Sequence, residues 1–329
     1  MPRCAKIAGT GRYVPERVAT NDELAERWGK EAMDRTAEVI GQRERHYAAA
    51  SESAADLATY AAQDALRSAG IAATDLDLVI VATDTPEYVS PATASVVQHR
   101  LGASNAGTFD VNCACAAFVT AVDMGAKYIL SDKAYRNVLV IGTYAMTKYV
   151  DWDDPRTPTI LADGAGAVVL TISNSPGFLG GKLITDGQYH DYMGIYVGGS
   201  KTPANEESIK TGLHKVRFLK PYPPETNFAH WVPLIRETLA KAGLTTDDVN
   251  MYLFTQIRLV TIKEVMAEYG LPMDRTHCVM NKWGYTGSAR IPMALDDAVK
   301  LGRIKPGDVV VLCASGGGYA MACTVFRWA

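Results

Sequence analysis

The chain repeats a pattern at a constant spacing, and this repeat restricts the folds open to it. The segment Ala-Leu-Arg-Ser-Ala-Gly-Ile around Gly70 recurs as Thr-Leu-Ala-Lys-Ala-Gly-Leu around Gly243, an offset of 173 positions. The same offset places the apolar run that begins at Val138 on the run that begins at Val311. A register held without gaps over this distance indicates an internally duplicated chain.

Each copy has the pattern of an α/β unit. In the first copy, residues 53–69 show helical periodicity and end at Gly70, and residues 76–82 form a continuous apolar run typical of a buried strand. We therefore expect two similar α/β halves packed together, residues 1–172 and 173–329. Two unrelated α/β domains with coincident turn signals are the alternative, since such signals recur in all folds of this class.

Composition excludes several classes of function. With 329 residues and 48% apolar content, the chain can bury a large core. Its net charge of -3, with both signs interspersed, argues against nucleic acid or an anionic membrane as a partner. We find no apolar run of about 18 residues and no signal-peptide pattern, so a cytoplasmic protein is expected.

The six cysteines argue against a metal site and against a disulfide scaffold. They are scattered through a long chain and form no CxxC pair. Cys113 and Cys115 are separated by one residue, which is the wrong spacing for the usual zinc or redox motif. We therefore expect reduced thiols, no metal and no bound cofactor.

These two cysteines lie at a predicted turn from strand to helix. Residues 107–111 are β-branched and aromatic, and Phe118, Val122 and Ile129 follow at roughly helical spacing. A thiol at a helix start meets unpaired N–H groups and the positive end of the helix dipole, which favour the nucleophilic thiolate. The alternative is that both cysteines only pack in the core, where free cysteine is common.

The motifs along the chain resemble one family. A duplicated α/β chain with a cysteine at the head of the central helix is the plan of the thiolase-like superfamily, and the motifs are similar to those of its β-ketoacyl-acyl carrier protein synthase III branch. The resemblance implies a layered α-β-α-β-α arrangement. It rests on motifs spread over nearly the whole chain: GTGRYVPE at 9–16, ATDTP at 82–86, PATA at 91–94, DVN at 110–112 before Cys115, DGAGA at 163–167 and GGG at 316–318.

The resemblance also implies an activity and a nucleophile. In this family the nucleophile is the third residue after the asparagine position, which selects Cys115 rather than Cys113. The implied reaction moves an acyl group from coenzyme A, which is a substrate and not a cofactor, onto that thiol and then to a second substrate. The backbone N–H groups of Cys115 and Gly317 are the implied oxyanion hole. A homodimer is the implied assembly.

Two family positions are substituted. The histidine of the family's Pro-His-Gln-Ala-Asn segment is replaced by Thr255, and the asparagine of its Gly-Asn-Thr-Ser pattern is replaced by Tyr285. Both hydroxyls can donate hydrogen bonds, but neither is a ready base near pH 7. The six histidines lie in unrelated segments, and we expect each to be structural or on the surface. We still include Thr255 and Tyr285 among the expected catalytic residues.

Other substrate contacts are retained in part. Arg156 matches the arginine that stacks on the coenzyme A adenine, whereas the family's stacking tryptophan is missing. Val260 stands where an arginine implicated in docking acyl carrier protein is expected, with Arg258 two residues away, so such a carrier is a possible partner only. Ser90 replaces a bulky residue that the partner subunit lends to the acyl pocket, which implies a larger acyl group; a helix cap is the alternative role for Ser90.

Three functions remain open at this stage. The leading one is an acyltransferase that forms an acyl-Cys115 thioester and then makes an ester, amide, thioester or atypical carbon–carbon bond in specialised metabolism. The second is a partner subunit that has lost catalysis and supports an active homologue. The third is a thiolase-fold lyase or hydrolase that uses Tyr285 as an acid or base. The retained Cys115 favours the first, because a purely structural subunit needs no thiol there.

Overall fold

A computed structural model describes residues 3–329, which form thirteen strands and ten α-helices. The strands are β1 Cys4–Tyr13, β2 Arg17–Thr20, β3 Glu44–Tyr47, β4 Leu78–Ala82, β5 Gly107–Val111, β6 Asn137–Ala145, β7 Asp163–Ser173, β8 Phe178–Thr185, β9 Met193–Gly194, β10 Arg217–Phe218, β11 Met251–Phe254, β12 Val309–Gly316 and β13 Ala320–Arg327. The α-helices are α1 Asn21–Trp28, α2 Lys30–Arg35, α3 Ala54–Ala69, α4 Thr93–Leu101, α5 Ala117–Ser131, α6 Glu206–Lys210, α7 Thr226–Lys241, α8 Leu259–Glu268, α9 Met280–Trp283 and α10 Arg290–Lys300.

The two main sheets repeat one topology. The first has the order β1-β7-β6-β4-β5, and the second has the order β8-β13-β12-β11. In both sheets the first pair of strands is antiparallel, the second pair is antiparallel and the third pair is parallel. The duplication predicted from the repeat is therefore confirmed, and β5 is an addition at the edge of the first sheet.

The sheets and helices form five layers. Helices α5 and α10 contact strands of both sheets, whereas α3 and α4 cover the outer face of the first sheet and α7 covers that of the second. Three apolar clusters fill the spaces between these layers, and the largest surrounds α5 and α10. The predicted α-β-α-β-α arrangement is confirmed. The division into halves at residues 172 and 173 stays a prediction.

Local signals set the ends of α3 as expected. The Ser53 hydroxyl accepts a hydrogen bond from the Asp56 N–H, and the Asp56 carboxylate accepts one from the Ser53 N–H, so the two residues form a capping box. At the other end Gly70 adopts the left-handed conformation, with φ of 65°. Apolar residues of α3 pack on the first sheet and belong to the same apolar cluster as its strands.

One segment, residues 114–131, is long and apolar enough to span a membrane by length and composition. The expectation that no segment of about 18 residues is apolar enough to span a membrane is therefore wrong by these two criteria. In the structure 67% of this segment is buried, because α5 lies between the two sheets and its apolar side chains belong to the central core. Its composition is that of a helix covered on all sides by protein.

Strand β5 forms one edge of the first sheet. It is tied to α4 by Asp110, whose carboxylate accepts hydrogen bonds of 2.7 Å and 2.8 Å from the Thr93 and Ala94 N–H groups. This carboxylate caps α4, so the alternative role of Ser90 as the helix cap is wrong. Ser90 lies on the exposed loop before α4.

Candidate active site

The carboxyl ends of the parallel strands converge between the two halves. Asp84 follows β4, Cys115 follows β5, Thr255 follows β11 directly, and β12 ends at Gly316, just before Gly317. Crevices at the carboxyl ends of strands are the usual ligand sites of α/β folds. The topology therefore brings residues from distant parts of the chain to one place.

The turn that carries Cys115 is strained. Ala114 has a φ of 47°, in the left-handed region, and its N–H donates a 3.0 Å hydrogen bond to the Asn112 side-chain oxygen. Such a conformation costs on the order of 1–3 kcal/mol for a residue other than glycine and is concentrated at functional sites. The turn presents Cys115 two residues before α5 begins.

The end of β12 approaches this turn closely. A Cβ atom added to Gly316 would lie 2.5 Å from the Cys113 carbonyl oxygen and 2.8 Å from the Cys115 nitrogen. Only glycine allows this approach. It brings Gly317, the second predicted oxyanion donor, into the wall of the cavity that Cys115 lines. Whether the two N–H groups act together stays a prediction.

Tyr285 lies against the predicted nucleophile. Its hydroxyl lies close enough to the Cys115 thiol for each group to shift the pKa of the other. The Tyr285 backbone is fixed by a 3.1 Å bond from its N–H to the Ile160 carbonyl and a 2.8 Å bond from the Ala162 N–H to its own carbonyl. The tyrosine is therefore held in place by its backbone.

Burial controls the charge of the thiol. The pKa of Cys115 is raised to about 12, chiefly by burial and also by the charge of Asp84, whereas Tyr285 and Arg290 act to lower it. Burial likewise raises the pKa of Tyr285 well above its usual value. Burial therefore opposes the thiolate that the helix start is predicted to favour. Acylation of this thiol needs a group that accepts its proton.

Thr255 lines the same cavity as Cys115 and Tyr285, and its hydroxyl oxygen already accepts a hydrogen bond. Its hydroxyl oxygen accepts a 3.1 Å hydrogen bond from the Ser315 N–H, and its N–H donates a 3.0 Å bond to the Cys313 carbonyl. Its hydroxyl proton remains available to a ligand. No histidine is among the residues that line this cavity. His230 lies behind the wall, where its ring contacts the Tyr319 hydroxyl.

Two cavities meet at Cys115, which lines both. The first cavity also contains Thr255 and Tyr285 and is lined mainly by apolar and aromatic side chains: Ile160, Leu161, Phe218, Tyr222 and Tyr319. The second cavity contains Asp84 and Cys113 and is lined further by Met146, Ile195, Tyr196 and Val216. A group bound to the Cys115 sulfur can therefore face one cavity while a second molecule enters through the other.

The remaining predicted residues are distributed unevenly. Arg258 lines the first cavity. Arg156 is exposed outside it, pairs with Asp154 at 2.6 Å and lies 3.5 Å from the carbonyl of Phe218, a residue of the cavity wall. Ser90 lines neither cavity. The substrate roles of all three residues stay predictions.

The sequence reading missed three polar residues near Cys115. Asp84 was used only as part of a family motif, although a carboxylate directly after a buried strand is itself a signal. Arg290 interrupts a run of small and apolar residues from Gly287 to Pro292 and is fully buried. Tyr144, also fully buried, packs edge-on against Tyr285 with 6.4 Å between ring centroids. Within residues 3–329 no group of three metal-ligating side chains is found.

Models of one family match two parts of the chain. Residues 109–187 match the model described as 3-oxoacyl-[acyl-carrier-protein (ACP)] synthase III, and residues 239–328 match the model of its C-terminal part. Together these segments contain Cys115, Thr255, Tyr285 and Gly317.

Curated relatives and solved structures extend this similarity to the whole chain. The β-ketoacyl-[acyl-carrier-protein] synthase III of Methylococcus capsulatus is 38% identical over 329 residues, covering 100% of both chains. The corresponding protein of Caldanaerobacter subterraneus is 35% identical, covering 99% of both chains. The structure of 3-oxoacyl-[acyl-carrier-protein] synthase III from Aquifex aeolicus superposes with a TM-score of 0.85 at 31% identity, covering 98% of this chain and 100% of that one.

Two further structures are informative. A priming β-ketosynthase from a polyketide biosynthetic pathway has a TM-score of 0.88 at 28% identity, covering 100% of this chain and 98% of the other. OleA of Xanthomonas campestris, at 21% identity and a TM-score of 0.81, covers 99% of both chains and shares the fold. The chain therefore belongs to the β-ketoacyl-acyl carrier protein synthase III family, whose members are condensing transferases built on the thiolase-like fold.

Proposed function

We propose that this protein is an acyltransferase that takes an acyl group from an acyl-coenzyme A onto Cys115 and passes it to a second substrate. The observation that carries the proposal is the position of Cys115, which lines both cavities and lies beside Tyr285. This arrangement supports a covalent thioester, which divides a difficult transfer into two easier steps. The N–H groups of Cys115 and Gly317 are proposed to hold the tetrahedral oxyanion.

The second step is proposed to differ from that of the family's decarboxylating members. In those, by the resemblance stated above, a histidine and an asparagine stabilise the enolate left by loss of carbon dioxide, each donor contributing about 3–4 kcal/mol. Thr255 and Tyr285 stand at these positions, and the Tyr285 hydroxyl lies close to the Cys115 thiol. This pair supports a nucleophile that is generated without decarboxylation.

An acceptor with its own hydroxyl or amine suits the site best. Such an acceptor needs a binding cavity, a weak base and an activated thioester, and the product is an ester or an amide. The aromatic lining of the first cavity, including Phe218, Tyr222 and Tyr319, supports a partly apolar substrate. We place this reaction in specialised metabolism, in a cytoplasmic homodimer, with acyl carrier protein as a possible carrier of either substrate.

The test compares acceptors on preformed acyl-enzyme. After loading and removal of free donor, the protein is offered malonyl-coenzyme A or a panel of amines and alcohols, and carbon dioxide, 3-oxoacyl product, esters and amides are measured. We expect ester or amide without carbon dioxide release. Decarboxylating condensation at about 1 per second or faster, within the range of ordinary enzymes, would overturn the proposal.

A matched variant tests the two substitutions. The double variant Thr255→His, Tyr285→Asn restores the donors implied by the family resemblance, and we expect it to gain malonyl decarboxylation that the wild type lacks. The single variants serve as controls, because each restores one donor only. A double variant that loads an acyl group but still releases no carbon dioxide would show that these two positions do not direct the chemistry.

A further inference from the structure

One carboxylate beside Cys115 has a free oxygen atom. Asp84 lines the second cavity together with Cys115. One of its oxygens, Oδ1, is shielded from solvent and has no hydrogen-bond partner in the described part of the chain. A shielded oxygen without a partner is costly, and on a residue that borders a cavity it points to a role toward a ligand.

Asp163 shows how a fully buried structural carboxylate is bonded in this protein. Asp163 accepts hydrogen bonds from the N–H groups of Ala48, at 2.8 Å, and Thr147, at 2.9 Å, and also from the Thr147 hydroxyl. Both of its oxygens are therefore satisfied. Asp163 is fully buried and fully bonded, whereas Asp84 borders a cavity and has an unbonded oxygen.

The loop holds Asp84 rigidly. Thr83 donates its N–H to the Val111 carbonyl at 3.1 Å, which joins the loop to the end of β5. The Thr85 hydroxyl accepts a 2.9 Å bond from the Ala145 N–H at the end of β6. Asp84 is thus fixed between two strand ends, on the side of the site from which Cys115 arises, as a preorganised catalytic group requires.

We infer that Asp84 is the general base of the acyl transfer: it accepts the proton of the acceptor as that acceptor attacks the acyl-Cys115 thioester. This inference rests on the proposed function. The acceptor oxygen or nitrogen forms a bond to the acyl carbon, and its proton moves to the Asp84 carboxylate. The bond from carbon to sulfur then breaks, the sulfur leaves with the electron pair, and the proton passes from Asp84 to the sulfur to restore the thiol.

The neighbouring groups support this assignment. The titratable groups that feel the charge of Asp84 are Cys115, Tyr144, Tyr149 and Tyr285. Burial raises the pKa of each of these four, so none of them is a ready base near neutral pH. His190 also lines the second cavity but is exposed to solvent. Burial raises the pKa of Asp84 to about 6, so its carboxylate is ionised yet more basic than an ordinary aspartate at pH 7.

The test uses water as the acceptor and follows loss of the acyl group. Wild type is first loaded with the best donor from a panel that runs from acetyl- to dodecanoyl-coenzyme A, and the free donor is removed. Loss of the acyl group is then followed by intact-protein mass spectrometry between pH 5 and 8. We expect hydrolysis to rise with pH and level off above pH 6. In Asp84→Asn we expect it to be about a hundredfold slower with no such rise. Glu87→Gln, on the same loop but outside both cavities, is the matched control.

Hydroxylamine separates a lost base from a damaged site. At neutral pH it is uncharged and attacks thioesters without a base, so it is expected to remove the acyl group from wild type and Asp84→Asn at similar rates. An acyl-Cys115 that hydrolyses with the same pH profile in both proteins would overturn the assignment of the base, as would equal slowing with hydroxylamine. A wild type that never loads an acyl group would instead overturn the proposed function.

Discussion

The guanidinium carbon of Arg290 lies 5.4 Å from the centroid of the Tyr285 ring, in a cation–π arrangement. Arg290 is fully buried, and its three guanidinium nitrogens have no hydrogen-bond partner within residues 3–329. Because Tyr285 lies close to Cys115, this buried cation stands behind the tyrosine next to the predicted nucleophile. Its charge acts to lower the pKa of both groups and so offsets part of the rise that burial causes.

We predict that replacing Arg290 with a neutral residue raises the stability of the protein and lowers the reactivity of Cys115. In Arg290→Met we expect the free energy of unfolding to rise by about 1–4 kcal/mol, because a poorly compensated buried charge is removed. We expect alkylation of Cys115 by iodoacetamide at a given pH to fall about tenfold, because the pKa of the thiol rises further. Chemical denaturation and the pH profile of alkylation measure the two effects.

The conservative variant completes this test. Arg290→Lys keeps the charge and is expected to retain most of the alkylation rate. If Arg290→Met lost stability and kept an unchanged pH profile, Arg290 would be a packing residue with no influence on the thiol.

The close approach of β12 to the nucleophile turn gives a second prediction. Gly316→Ala places a Cβ atom 2.5 Å from the Cys113 carbonyl oxygen, so the turn must shift. A displacement of about 1 Å can cost a hundredfold in rate, and we expect a loss of this size in the acylation of Cys115. Gly180→Ala is the control, since no atom lies within 4 Å of its added Cβ. Acylation of Gly316→Ala at the wild-type rate would contradict this account of the turn.

The free edge of β5 predicts how the protein assembles. The Gly107 N–H and the Val111 carbonyl bond toward the β4 side, so alternation directs the backbone groups of Thr108 and Asp110 to the open edge. Pairing two such edges would remove an aggregation hazard. We expect light scattering to give a dimer for wild type and for Thr108→Ala, and a monomer for Thr108→Pro, which lacks the N–H. A wild-type monomer at micromolar concentration would refute this interface.

The fold was predictable because its signals are local and repeated. The cap at Ser53, the stop at Gly70 and the apolar run of β4 each specify one element, and the offset between Gly70 and Gly243 shows that the unit occurs twice. The order of the strands within each sheet was not predicted, because it depends on contacts between distant segments.

Residues of the site were predictable only where they belong to a family motif. Cys115 and Tyr285 were predicted as family positions, but their proximity and the raised pKa of the thiol follow from the fold and from burial, which spacing does not express. Asp84 and Arg290 were missed because each is a single charged residue in the sequence. Only the folded chain shows that Arg290 is buried without a hydrogen-bond partner, that Asp84 has an unbonded oxygen, and that both lie close to Cys115.

Acylation of Cys115 is the central claim, and intact-protein mass spectrometry tests it most directly. The protein is incubated with acyl-coenzyme A thioesters of graded chain length, and the mass of one acyl group is sought. We predict an adduct in wild type and in Cys113→Ala that is absent from Cys115→Ala. An adduct that persists in Cys115→Ala, or the absence of any adduct from wild type with every donor, would contradict the account.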